Sequence, residues 1–272
     1  MSLAVTFTSV AAYLIFSHRF DFQILLMCLG VFFLAGGAGA LNQFQERKYD
    51  AKMERTKQRA LPQNKVSPAF AIVLSFIAIL SGFLLLYFFC GIIPALLGLF
   101  NVVWYNIVYT NLKTITPFAV VPGSLTGVVP AFIGWTAAGG YILDIDIILI
   151  GGFLFIWQIP HFWLLLLKYD NQYSQAGFPS IHKTLSKESL RRIIYIWIFA
   201  SSLVPFMYLL FSSNHSSLLL ISVFLLNIWL IITFARLSFK KMVELNFKRA
   251  FVSINVYMII FLSVLVLYNI LT

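Results

Sequence analysis

The polar stretch NQFQERKYDAKMERTKQRALP, Asn42 to Pro62, decides how the rest of the chain is read. It holds three of the nine acidic residues and six of the nineteen basic ones, between flanks apolar enough to sit in a bilayer. Asn42, Glu46 and Asp50 are four apart, so on a helix each is turned about 40° from the last and all three share a face. They would cover about 12 Å of helix, so one ion need not touch all three. Two of them plus phosphate oxygens would suit magnesium, which keeps waters and takes few protein ligands. Arg55, Lys57 and Arg59 just beyond suit an anion such as a phosphate. A solvated amphipathic turn, with Glu46, Asp50 and Glu54 paired to Lys48, Lys52 and Arg55, explains the spacing equally well.

Working outward, the chain of 272 residues is 61% hydrophobic and 10% charged, and its mean hydropathy is +0.92. That composition belongs to an integral membrane protein whose surface partner is the lipid bilayer. The formal charge of +10 does not point to nucleic acid, because the basic residues lie between apolar spans and not on one continuous surface. Cys28 and Cys90 lie in apolar runs without metal-type spacing, and read as small buried residues. No positive leader or small-residue cleavage site marks the first apolar run as removable.

Cutting at the polar breaks predicts an all-α polytopic bundle of about nine transmembrane helices, at 3–17, 22–41, 68–89, 91–110, 117–138, 147–167, 193–211, 217–234 and 250–270. Two polar loops, 42–67 and 168–192, follow the second and sixth spans, a spacing that hints at two related halves of one domain, 1–272. All nineteen basic residues except Arg19 then fall on one side, while Asp21, Asp144, Asp146 and His215 fall on the other. Positive residues favour the cytoplasm, so the amino terminus and both long loops are expected inside and the carboxyl terminus outside. Gly36, Gly37 and Gly39 read as a helix-packing run, and Pro94, Pro122, Pro130, Pro160 and Pro205 as kinks.

A second polar cluster, Lys168–Tyr169–Asp170–Asn171–Gln172–Tyr173, faces the same side as the first. Asp170 is its only carboxylate, and Lys168 could meet a phosphate as a point charge. Alone it is an ordinary polar loop; two such clusters at one mouth make a diphosphate site. His161, in Gln158–Ile159–Pro160–His161–Phe162–Trp163, reads either as a hydrogen-bonded structural group or as a contact to a porphyrin or other acceptor. His18, His182 and His215 lie in loops, and only His182, near the second cluster, is given a role in reserve. No Ser–His–Asp order, glycine-rich nucleotide loop or zinc-protease motif occurs.

The stretch Asn42–Pro62, with its tail Met53, Arg55, Thr56, Arg59, Leu61 and Pro62, resembles the first aspartate-rich motif of the UbiA-type intramembrane prenyltransferases. Within them the chain is most similar to the branch that farnesylates protoheme IX, the heme O synthases. That narrower likeness lies in Ala35–Gly36–Gly37–Ala38, in Leu112–Lys113, Thr116–Pro117 and Pro130–Ala131–Phe132–Ile133–Gly134–Trp135, and in Trp157 to Trp163 followed by Tyr173, Ala176–Gly177 and Pro179. It covers about residues 20 to 180 by motif and the remainder by span pattern.

The resemblance implies a nine-helix bundle with a central cavity beneath two polar loops, and the substrates farnesyl diphosphate and protoheme IX. It implies that Asn42, Glu46 and Asp50 hold Mg2+, that Arg55, Arg59, Lys113 and Lys168 hold the diphosphate, and that His161 serves the heme side. Association with heme-handling or oxidase-assembly proteins, in the plasma or inner membrane, would follow. The family's second motif carries paired acidic residues before the tyrosine, where this chain has Asn171 and Gln172, with Asp170 displaced. An amide-supported single-metal site or a changed activity is therefore open. The family's cytoplasmic segment before the first span, with its Lys-Pro-Arg-like motif, has no counterpart here. Two other functions remain: prenyl transfer to another apolar acceptor such as a quinone precursor, and a transporter or heme-binding assembly factor without catalysis.

Overall fold

The computed structural model describes residues 2–212, 216–239 and 247–271, and among these every regular element is helical. Nine long helices follow in order: α1 Ser2–Ser17, α2 Phe22–Asp50, α3 Pro68–Cys90, α4 Ile92–Ile115, α5 Val120–Ala137, α6 Ile145–Ala176, α7 Lys187–Phe211, α8 Ser217–Phe239 and α9 Phe247–Leu271. Eight are long and apolar enough to cross a membrane, and α1 is the shorter apolar helix Val5–Ser17 within its bounds. His215 lies outside the described residues, as does the side chain of His182.

Local chemistry sets these boundaries. Asp21 caps α2 by accepting from Ile24 N at 3.3 Å, and Ser67 caps α3 by accepting from Phe70 N at 3.2 Å, with Pro68 in the first turn. Gly177 ends α6 in the left-handed region at φ 103°, which a side chain would disfavour.

Two helices are longer than their apolar runs. α2 stays helical through Asp50 and α6 through Ala176, so both predicted loops begin a turn or more later than the sequence reading placed them. Their polar ends are continuations of rigid spans.

Lipid is the only solvent that suits the outside. Phe70, Phe76, Ile77 and Phe88 on α3 are all more than half exposed, and each would cost about 1.5–3 kcal/mol if left in water and not in an apolar phase. Inside the bundle, α2 and α3 approach closely at Gly37, where a Cβ would fall 2.9 Å from the Ser75 carbonyl oxygen. The Ser75 hydroxyl donates to the Gly37 carbonyl at 2.7 Å across the same seam.

The prolines divide. Pro94 and Pro122 sit in first turns, where no kink results; Pro130, Pro160 and Pro205 lie inside helices. A proline frees the carbonyl four residues back, which hydrocarbon cannot satisfy. For Pro130 that carbonyl is Thr126 O, which accepts from Asn101 Nδ2 at 3.1 Å. For Pro205 it is Ser201 O, reached by the Tyr257 hydroxyl at 3.3 Å.

Candidate active site

One face of the end of α2 is buried and not solvated. Asn42, Glu46 and Asp50 are all buried, Asp50 to 1% exposure. Asn42 Nδ2 donates to Thr110 Oγ1 at 3.0 Å, Glu46 pairs with Lys113, and Asp50 Oδ2 accepts from Arg59 at 2.8 Å. The solvated-turn alternative is therefore overturned for Glu46 and Asp50. Only Glu54 pairs along the exposed surface, with Lys57.

Lys113 reaches Glu46 because α4 widens into a π-type turn over Trp104–Tyr109. The extra residue per turn aligns Tyr105, Tyr109 and Lys113 toward α2, and the Lys113 ammonium lies 5.1 Å from the Tyr109 ring centroid. Thr110, at the end of that turn, gives its hydroxyl hydrogen to Tyr105 O at 2.8 Å while accepting from Asn42.

The motif's tail splits by role. Met53, Thr56 and Leu61 are buried and pin the segment after α2: Met53 packs with Ala176 and Phe178, and Thr56 Oγ1 donates to Asp50 O at 3.0 Å. Arg55, which is exposed, and Arg59, which is half-buried, line the space over the end of α2. Arg55 donates to the Tyr173 hydroxyl at 3.1 Å and lies 5.1 Å over the Tyr169 ring.

Two adjoining cavities meet here. A polar one of about 140 Å³ is lined by Asn42, Glu46, Asp50, Arg55, Arg59 and Lys113 together with Tyr105, Tyr109, Phe162 and Tyr173. A larger one of about 580 Å³ shares Asn42, Arg55, Arg59 and Tyr105 and runs down α2 between α4 and α5. The site thus has a charged head and a long, mostly apolar body.

The second cluster behaves differently from the first. Asp170 is buried, and its two oxygens lie 2.8 and 3.0 Å from the Ser180 hydroxyl, which donates to them and ties down the turn after α6. Gln172 Oε1 accepts from Arg55 N at 3.3 Å, and Tyr173 lines the polar cavity. Asn171 and Lys168 are exposed, and the Lys168 ammonium rests 5.0 Å over Tyr169, outside the lining of either cavity. His161 packs against Trp157 and against Phe251 of α9, ring centroids 5.0 and 4.8 Å away, and lines neither cavity.

The polar cavity fits a hard cation. Asp50 Oδ1 is buried without a hydrogen-bond partner, in a cavity that Glu46 and Asn42 also line. Among the described residues no three acidic, histidine or cysteine side chains converge. Two carboxylates completed by phosphate oxygens and water are what magnesium takes. Sequence reasoning missed Tyr105 and Tyr109, although their spacing of four from each other and from Lys113 was a readable signal.

The profile of the UbiA prenyltransferase family matches residues 4–269. The chain belongs to the UbiA prenyltransferase family. A protoheme IX farnesyltransferase of Geobacter sulfurreducens is 47% identical over 150 residues, which is 55% of this chain and 55% of that protein, so the match spans about half the length of each. One from Flavobacterium johnsoniae is 30% identical over 245 residues, 87% of this chain and 81% of that protein. The fold is likewise that of solved family members. A digeranylgeranylglyceryl phosphate synthase superposes with a TM-score of 0.79 at 17% identity, covering 98% of this chain and 94% of that one. A UbiA homolog from Archaeoglobus fulgidus bound to GPP and Mg2+ gives 0.75 at 13% identity, covering 100% and 97%. The chain is a multi-pass membrane protein.

Proposed function

We propose that this chain transfers a farnesyl group from farnesyl diphosphate to a vinyl group of protoheme IX. The observation that carries it is the buried pairing of Glu46 and Asp50 with Lys113 and Arg59 at the head of an apolar chamber. Several relatives bear the name protoheme IX farnesyltransferase, and the Archaeoglobus fulgidus homolog is described with GPP and Mg2+.

In this reading Asn42, Glu46 and Asp50 would hold Mg2+, which when bound would draw charge from the leaving diphosphate. Arg59 and Lys113 pair with the two carboxylates and line the cavity that an entering diphosphate would meet. Arg55, fixed by Tyr173, offers a planar fork to the same oxygens. Lys168, exposed on α6, would have to swing inward to join them. The farnesyl carbon–oxygen bond breaks with its electron pair leaving on the diphosphate. The aromatic faces of Tyr105, Tyr109 and Phe162 steady the allylic cation. Vinyl electrons close the carbon–carbon bond, and water captures the resulting cation with loss of a proton, giving a hydroxyethylfarnesyl group.

The domain would be the whole of 1–272, the amino terminus cytoplasmic and the carboxyl terminus outside, because in the sequence every basic residue but Arg19 falls in a segment assigned to the same side as 42–67 and 168–192. Residence in the plasma or inner membrane and association with heme-handling or oxidase-assembly proteins belong to the same reading, as does a heme contact at His161 from the α9 side. Release of inorganic diphosphate from farnesyl diphosphate by the purified full chain tests it. The release should need both Mg2+ and protoheme IX. Release driven equally well by a quinone precursor in place of heme would move the function to that acceptor.

A further inference from the structure

The glycine run before Asn42 does two jobs, not the single packing job its composition implies. Gly37 faces α3 and has no room for a side chain. Gly36 and Gly39 line the large cavity instead, and a Cβ on either would meet nothing within 4 Å. Six and three residues before Asn42, they stand about 9 and 4.5 Å down α2 from the charged head. The cavity continues to Val31, about 16 Å below Asn42. Above that end Leu34, Gly98 and Ile133 wall it closely: a Cβ at Gly98 would touch Leu34 Cδ1 at 2.5 Å and lie 3.8 Å from Ile133 Cδ1.

An extended isoprene unit spans roughly 5 Å, from four carbon–carbon bonds of about 1.5 Å each. Three units therefore span the lining from Asn42 to Val31. A volume of about 580 Å³ is also within the usual range for a ligand cavity. Asp50 Oδ1, buried and unpartnered in the adjoining polar cavity, marks the end where the charged group of such a ligand belongs.

We infer that Gly36 and Gly39 set the length of prenyl tail this chain accepts, by leaving open the wall past which the second and third isoprene units must slide. The inference rests on the prenyl-diphosphate reading and adds specificity-determining residues to it. Because both positions are helical and open, a larger side chain there fills the cavity without disturbing the α2–α3 seam.

The test is binding of five-, ten-, fifteen- and twenty-carbon prenyl diphosphates with Mg2+ to the detergent-solubilised full chain, comparing wild type with Gly36→Leu, Gly36→Ala and Gly39→Leu. Gly152→Leu, also open at its Cβ but outside both cavities, is the control, and melting temperature checks folding throughout. Gly36→Leu should weaken the fifteen-carbon ligand about ten- to hundredfold and leave the five-carbon one within about twofold. Gly39→Leu should weaken the ten-carbon ligand as well. Should Gly36→Leu lose all lengths alike, or none, in a folded protein, the ruler is overturned. If wild type binds no prenyl diphosphate, the parent reading fails instead. Gly36→Ala, the smaller change, carries the same pattern at lower amplitude if the leucine variant does not fold.

Discussion

Lys113→Met removes the cation facing Glu46 while keeping the side chain's length. The pair is well shielded, with side-chain exposures of 18% for Lys113 and 9% for Glu46, so the variant strands a carboxylate away from water. Removing one partner of a buried pair costs about 3–5 kcal/mol, and residual exposure of Lys113 places this one near the lower end, about 3 kcal/mol. For a chain of this size that is a fall of roughly 6–12 °C in melting temperature. Adding Glu46→Gln removes the stranded charge and should restore most of the loss, giving a coupling of about 2 kcal/mol in the double-mutant cycle. The assay is thermal unfolding of the detergent-solubilised chain, with and without excess Mg2+. A divalent ion at Glu46 and Asp50 should narrow the Lys113→Met deficit, since it supplies the missing positive charge. The reasoning is refuted if Lys113→Met is as stable as the double variant, or if Mg2+ stabilises wild type and variant equally.

Asp50→Asn keeps the shape of a residue that is 1% exposed and leaves Arg59, whose side chain is 35% exposed, able to reach water. It should stay folded while diphosphate release falls about 10³-fold, equivalent to about 4 kcal/mol of lost charge stabilisation. Arg55→Lys loses the fork and the stacking over Tyr169, and should raise KM for farnesyl diphosphate about tenfold with a smaller change in kcat. Asp170→Asn should cost about 1–2 kcal/mol of stability through the Ser180 contact and leave the Mg2+ concentration for half-maximal rate unchanged. A raised Mg2+ requirement would return Asp170 to the metal site.

The spacing of Asn42, Glu46 and Asp50 was enough to put them on one face, because α2 remains helical past the apolar run. What that spacing could not carry was the partner of each. Local pairing with Lys48 or Lys52 satisfies a helix in water, and only the tertiary fold reveals that Lys113 arrives from α4 through a π-type turn. The same limit applies to Asp170: sequence makes it a carboxylate beside the site, and the structure gives its oxygens to Ser180. Pro130 was legible as a break in hydrogen bonding, whereas the donor that repairs it, Asn101, comes from another helix. Gly36, Gly37 and Gly39 are identical in chemistry and lie within four residues of one another. Their fates differ because helical periodicity sends one toward α3 and two toward a cavity that exists only once α4 and α5 are in place. Span number and the polar ends of the bundle depend on composition along the chain and were readable. Contacts across it were not.

The most direct test of the proposed activity is the mass of heme extracted from membranes that contain the full chain and are supplied with protoheme IX, farnesyl diphosphate and Mg2+. The proposal predicts a new heme heavier by one farnesyl group and one hydroxyl derived from water, absent from parallel membranes carrying Asp50→Asn. Unmodified heme from membranes holding well-folded wild-type chain would contradict it.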